Sequence, residues 1–167
     1  GLNGILKEVT VKNPLGREIT CHYGIIDDTA VVEMAQASGI ALIKKEELNP
    51  METTTYGVGE ILKDAISSGC RKFIIGIGGS ATNDGGVGML QALGYEFVDE
   101  NGNEVPFGAK ALEKIKEIRD DNVLKELKEC SFNIACDVKN PLCGENGCSF
   151  VFAPQKGANE DMVETMN

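Results

Sequence analysis

The sequence predicts an α/β protein: a mixed sheet with flanking helices and an antiparallel meander at its N-terminal end. Three observations carry this. Two alternating segments, Leu6 to Val11 and Glu18 to Tyr23, flank the turn signal Asn13-Pro14-Leu15-Gly16. An apolar run, Phe73-Ile74-Ile75, feeds a glycine-rich turn that leads into a helical pattern. A second apolar run, Phe132 to Val138, ends in a polar loop.

Taken in order, Ala30 to Met34 reads as a third strand after the Asp27-Asp28 turn, and strands so closely spaced make a meander. Small residues follow to Leu42. Val58, Ile61, Leu62, Ala65 and Ile66 then recur at the 3.6 period of a helix, with Thr53-Thr54-Thr55 offering its N-cap and Gly69 its stop. Arg71 to Ile77 is the strand entering the glycine loop, and the helix after it carries Val87, Leu90 and Leu93 and stops at Gly94. Tyr95 to Val98 and Glu104-Val105 flank a hairpin-type connection at residues 99–102. Residues 109–129 predict one or two short amphipathic helices with a charged outer face. After the strand at 132–138 come a loop to Gly147, a short apolar element at 149–152, and the tight turn Pro154-Gln155-Lys156-Gly157-Ala158. Asn159 caps a last helix.

The 167 residues suffice for one domain with a proper core. A hydrophobic fraction of 42% and a charged fraction of 25% fit a globular protein in water, and no apolar run approaches the ~20 residues of a membrane helix. With net charge −10 and no basic stripe, nucleic acid is not an expected partner. An anionic small molecule requires cations that converge locally, and Lys139 and Lys156 are the candidates. Six cysteines lack paired CxxC spacing, which predicts reduced thiols in a cytoplasmic protein rather than a zinc site or a disulfide framework. The single histidine, His22, sits on an alternating strand far from the glycine loop, which argues against a Ser-His-Asp or Cys-His arrangement. The sequence opens without methionine or a basic-then-apolar leader and stops inside a helical pattern, so a fragment is expected.

The chemistry is expected at Gly76 to Gly86, GIGGSATNDGG. Glycines let the backbone approach a ligand closely, and a strand–turn–helix unit aims free N–H groups at one point, which suits a phosphate or carboxylate. Neither the Walker loop nor the dinucleotide fingerprint is present. Ser80, Thr82, Asn83 and Asp84 supply more side-chain oxygens than a simple cap requires. Ligands of α/β sheets sit beyond the carboxyl ends of strands, so Asp84 and Asp137 could share a cleft if their strands are neighbours. Each has a plain structural alternative: Asp84 as a helix cap, Asp137 bonded to its own turn. Lys156 is either an anion's counter-charge or a surface lysine. Glu33 either bonds substrate or braces the loop after its strand.

Several stretches together resemble the bacterial glycerate kinases of the type-1 family. They are Asn13 to Arg17, Glu33 to Gly39, Asn49-Pro50 with Thr53 to Gly59, Gly76 to Gly94, ACDVKNPLCG at 135–144 and PQKGA at 154–158. The resemblance spans nearly the whole chain in the family's order. It implies ATP-dependent phosphorylation of D-glycerate with Mg²⁺, by proteins about twice as long. In these two-lobed proteins a domain like this one is inserted into a Rossmann-like domain. The family's motifs on either side of that domain are absent here, which implies that the chain is the inserted domain alone and turns over little or nothing by itself. At matching positions Gly78, Gly79, Ser80, Thr82 and Asn83 would line the substrate or phosphate pocket. Asp84 and Asp137 would be the acid/base and Mg²⁺ candidates, in either order, and Lys156 a charge stabiliser. A non-catalytic anion-binding module and a kinase for another small hydroxy acid are the alternatives.

Overall fold

The computed structural model describes residues 3–167. Its main sheet has five strands, in the order β1 (Ile5–Lys12), β2 (Glu18–Ile26), β3 (Thr29–Glu33), β4 (Lys72–Gly76) and β7 (Ser131–Ala135). The first three form the expected antiparallel meander; β3, β4 and β7 run parallel. Asn13 makes the first turn, its side-chain oxygen accepting from the N–H groups of Leu15 and Arg17. His22 lies opposite Glu8 across the β1–β2 pair, 3.3 Å away and exposed, as a strand histidine should be.

One face of the sheet is covered. Tyr23, Ala30, Val32, Phe73 and Ile75 pack against α2 (Tyr56–Ser67), which presents Val58, Ile61, Leu62, Ala65 and Ile66. The 3.6-residue recurrence of those apolar positions is what makes this segment a helix with one buried stripe. The short helices α1 (Ala35–Ser38) and α3 (Val87–Ala92) flank α2. Thr55 occupies the N-cap of α2 without a side-chain capping bond; the Thr54 hydroxyl accepts from Tyr56 N instead.

One expectation is corrected. Residues 109–129 are not helices of ordinary length: 3₁₀ turns at Ala109–Lys114 and Lys125–Glu129 bracket a strand, β6 (Glu117–Arg119). That strand pairs with β5 (Glu96–Val98). The expected hairpin-type connection after β5 is present: Val98 bridges Glu104 antiparallel, Val105 N donates to the Phe97 carbonyl at 2.8 Å and Asp99 N to the Asn103 carbonyl at 2.9 Å. Pairing with β5 overrides the local helical preference of the charged segment, which is weak by comparison. A small second core of Phe97, Val105 and Ala111 lies here.

Beyond β7, residues 136–147 are irregular, and α4 (Cys148–Phe152), a 3₁₀ turn (Pro154–Lys156) and α5 (Glu160–Met166) follow. Asn159 caps α5, accepting from Met162 N at 2.9 Å. All six cysteines are free thiols.

Candidate active site

The parallel strands end level with one another. Glu33 pairs in register with Gly76, and Gly76 with Ala135, so the loops after β3, β4 and β7 leave the same edge of the sheet. The expectation that the strands carrying Asp84 and Asp137 are neighbours is met.

The glycine loop is pinned on its β3 side by the chain after that strand. Met34 N donates to the Gly76 carbonyl, Ile40 N to the Gly79 carbonyl and Ala81 N to the Ser38 carbonyl, all at 2.8–2.9 Å. The N–H groups of Gly78, Gly79 and Ser80 reach no acceptor among the described residues, and Gly78 and Gly79 are exposed. Gly79 has φ +72°, the left-handed region that a side chain disfavours. Successive free amides at a strand's carboxyl end make an anion-binding concavity.

Asp84 is buried beneath this loop, only 2% exposed. One of its oxygens accepts from Thr55 N (2.8 Å) and Gly88 N (3.2 Å), the other from Gly86 N (3.1 Å), and the Thr55 hydroxyl lies within 3.1 Å of both. Both oxygens are engaged in joining the N-termini of α2 and α3. Gly88 lets the helices meet, since a Cβ there would collide with the Thr54 hydroxyl and the Tyr56 amide. The neighbouring Thr53 hydroxyl donates to Ala81 O at 2.8 Å. Of three threonines that read as one cap in the sequence, Thr54 caps α2 while Thr53 and Thr55 reach the glycine loop, at Ala81 and Asp84. Thr55 is the residue that sequence reasoning missed. Its partner lies 29 positions on, and no local signal announces it.

Lys156 is buried too, at 8% exposure, and its ammonium donates to the Thr82 carbonyl at 2.5 Å. Asn83 reaches α4 and α5, its amide donating to Ser149 Oγ at 3.3 Å and Met166 Sδ at 3.2 Å. Asp137 is the opposite case: exposed, two residues past the end of β7, with no hydrogen bond among the described residues, its own turn included. Glu33 is likewise exposed and bonds nothing in the loop it could have braced. Lys139 is exposed beside Asp137.

The three predicted ionic groups differ in depth: Asp84 and Lys156 are buried, and Asp137 is exposed. Ser80, Thr82, Asn83 and Asp84 border a cavity of about 730 Å³ that continues along the α-helical face to Phe132 and Ile134 of β7. Its walls are largely apolar, and Gly78, Gly79, Glu33, Asp137 and Lys156 are not among them.

The sequence model of the glycerate kinase family matches residues 1–167. The chain belongs to the glycerate kinase family. It is 48% identical over 162 residues to glycerate 2-kinase of Escherichia coli K12, covering 96% of this chain and 42% of that protein. It is 47% identical to glycerate kinase of Haemophilus influenzae, covering 98% and 44%. A crystal structure from Salmonella typhimurium LT2, assigned as a glycerate kinase 2, superposes with a TM-score of 0.96 at 42% identity, over 99% of this chain and 45% of that one. The chain thus spans less than half the length of these family members.

Proposed function

We propose that this chain is the central domain of a two-lobed glycerate kinase, an enzyme that transfers the terminal phosphoryl group of ATP to a hydroxyl of D-glycerate in the cytoplasm. The observation that carries the reading is the run of Gly78–Ser80 amides that no acceptor among the described residues takes up, in a loop leaving the sheet edge from which the segment bearing Asp137 also leaves, in a family member. Free amides hold phosphate oxygens without a counter-ion, and the net charge of −10 makes such a local donor set necessary.

Transfer between phosphate and hydroxyl oxygens needs little covalent help from protein; it needs positioning and charge neutralisation. In this reading the Gly78–Ser80 amides bind and orient a phosphate or the glycerate carboxylate. The Ser80 hydroxyl and the exposed Glu33 carboxylate meet the substrate's hydroxyl groups. Thr82 and Asn83 hold the loop against α4 and α5. The fit to Mg²⁺ turns on donors. No cluster of three or more metal-binding side chains exists among the described residues. Mg²⁺ bound with a nucleotide asks for only one or two carboxylates besides the phosphates. Asp137, whose oxygens have no hydrogen-bond partner among the described residues, meets that demand, whereas those of Asp84 are taken. When bound, Mg²⁺ neutralises phosphate charge. Among the described residues no helix is long and apolar enough to cross a membrane.

The remainder of a family-length protein is proposed to cover the apolar cavity and the open edge of β7. Phe132 and Ile134 there remain 40% and 53% exposed although their register partners Phe73 and Ile75 are core. Asp137→Asn in a family-length protein tests the chemistry. Glycerate-dependent ADP formation should fall at least ~100-fold, with the melting temperature unchanged because the side chain bonds nothing among the described residues. Activity within a few-fold of wild type removes Asp137 from the reaction. A panel of small hydroxy acids on the same enzyme separates glycerate from other acceptors.

A further inference from the structure

Lys156 is a buried cation that the reading above leaves unused. Burying an ammonium is costly, and a methionine of similar length would fill the space without that cost. Its only hydrogen-bond acceptor among the described residues is the Thr82 carbonyl, 74 positions earlier in the sequence. Burial depresses the ammonium's pKa, while the fields of Cys148 and Asp84 act in the opposite direction.

The turn carrying it is fixed. Lys156 N donates to Ala153 O and Gly157 N to Pro154 O, closing the 3₁₀ turn. Gly157 follows at φ +95°, where a Cβ would collide with the Leu48 carbonyl, so the backbone lies flush against a distant segment. The ammonium is thus a stationary point beneath the loop. The loop is held from two directions: through Gly76, Gly79 and Ala81 to the chain after β3, and through Thr82 and Asn83 to the α4–α5 segment.

We propose that Lys156 is a positioning residue for the anion loop: its ammonium fixes the Thr82 carbonyl, which keeps the loop in the arrangement that leaves the Gly78–Ser80 amides without a protein acceptor, and it touches no ligand itself. This rests on the anion-loop reading of the previous section. It also assigns the positive charge a second effect. An ammonium bonded to the loop's own backbone adds to the attraction of its amides for an anion, while the anion itself meets backbone N–H groups and not the lysine.

The test uses the ¹⁵N-labelled chain as it stands, comparing wild type with Lys156→Met. One readout is hydrogen exchange at Ile40 and Ala81, whose amides pin the loop on its other side, with Ile61 and Leu62 of α2 as internal reference. The other is titration with inorganic phosphate followed through the Gly78–Ser80 amide shifts. In the variant, exchange at Ile40 and Ala81 should quicken about tenfold while α2 is unchanged, and the phosphate dissociation constant should rise about tenfold. Exchange unchanged from wild type overturns the proposal, whether affinity holds or falls; a fall with an unmoved loop would mean that the ammonium meets the anion directly. Faster exchange with unaltered affinity overturns it as well. If phosphate moves no amide of the wild-type chain, the anion-loop reading fails, and exchange at Ile40 and Ala81 alone decides whether Lys156 holds the loop. If Lys156→Met does not fold, the wild type decides. Slowly exchanging ammonium protons coupled through the hydrogen bond to the Thr82 carbonyl carbon support the clamp, and a rapidly exchanging ammonium without that coupling overturns it.

Discussion

At the scale of single residues, the two aspartates should separate cleanly in stability measurements. Asp84→Ala leaves the N–H groups of Thr55, Gly86 and Gly88 without their acceptor. Each orphaned donor costs ~1–3 kcal/mol, so urea unfolding should show a total loss of about 3–5 kcal/mol after partial relaxation. Alkaline pH probes another set of buried groups. Burial first, then the fields of Glu60 and Asp64, push the Cys21 thiol up to about 11 from 9.0. Burial and the hydrogen bond to Asp64 raise Tyr23 further, and burial raises Cys70 and Cys130. These groups keep their protons longer folded than unfolded. Their contribution is whole below pH 9 and is lost as pH climbs through the folded values. The melting temperature should therefore drop between about pH 9 and 11, and Cys21→Val should shrink that drop; an equal drop in the variant would assign it to the other groups.

At the scale of elements, the fold was legible wherever a period and a punctuation mark coincided. The Asn13 turn between alternating strands gave the meander, and the apolar stripe of α2 between threonines and Gly69 gave the main helix. Residues 109–129 were misleading because a charged amphipathic pattern is shared by helices, 3₁₀ turns and short edge strands. What decides is the free edge of β5, which lies outside the segment. The last helix was legible from its cap alone. Asn159→Ala should cost ~1 kcal/mol of local stability, visible as faster hydrogen exchange through α5 with α2 unchanged. Loss of protection in both would make α5 part of the central cooperative unit instead.

At the scale of the molecule, one end of the candidate site could be read in advance, because strand exits in α/β sheets gather loops. What could not be read was depth. Asp84, Asp137 and Lys156 are equally polar in the sequence, yet two are buried by contacts 29 and 74 positions away. The open groove beside β7 makes a separate prediction. The chain should enhance the fluorescence of a hydrophobic dye such as anilinonaphthalene sulfonate, and Ile134→Lys should cut that signal several-fold at little cost in melting temperature, since Ile134 is already half exposed. A signal that survives the substitution would place the dye elsewhere. The order of the strands has a kinetic corollary. Among the described residues β7 has a single neighbour and joins it only after a long excursion from Ile77 to Cys130, so it should dock late in folding and exchange its amides faster than β3 and β4. The glycine loop is stitched on one flank to the early-forming meander and on the other to the segment that β7 leads into. Its working shape should therefore persist only as long as the weaker of those two seams.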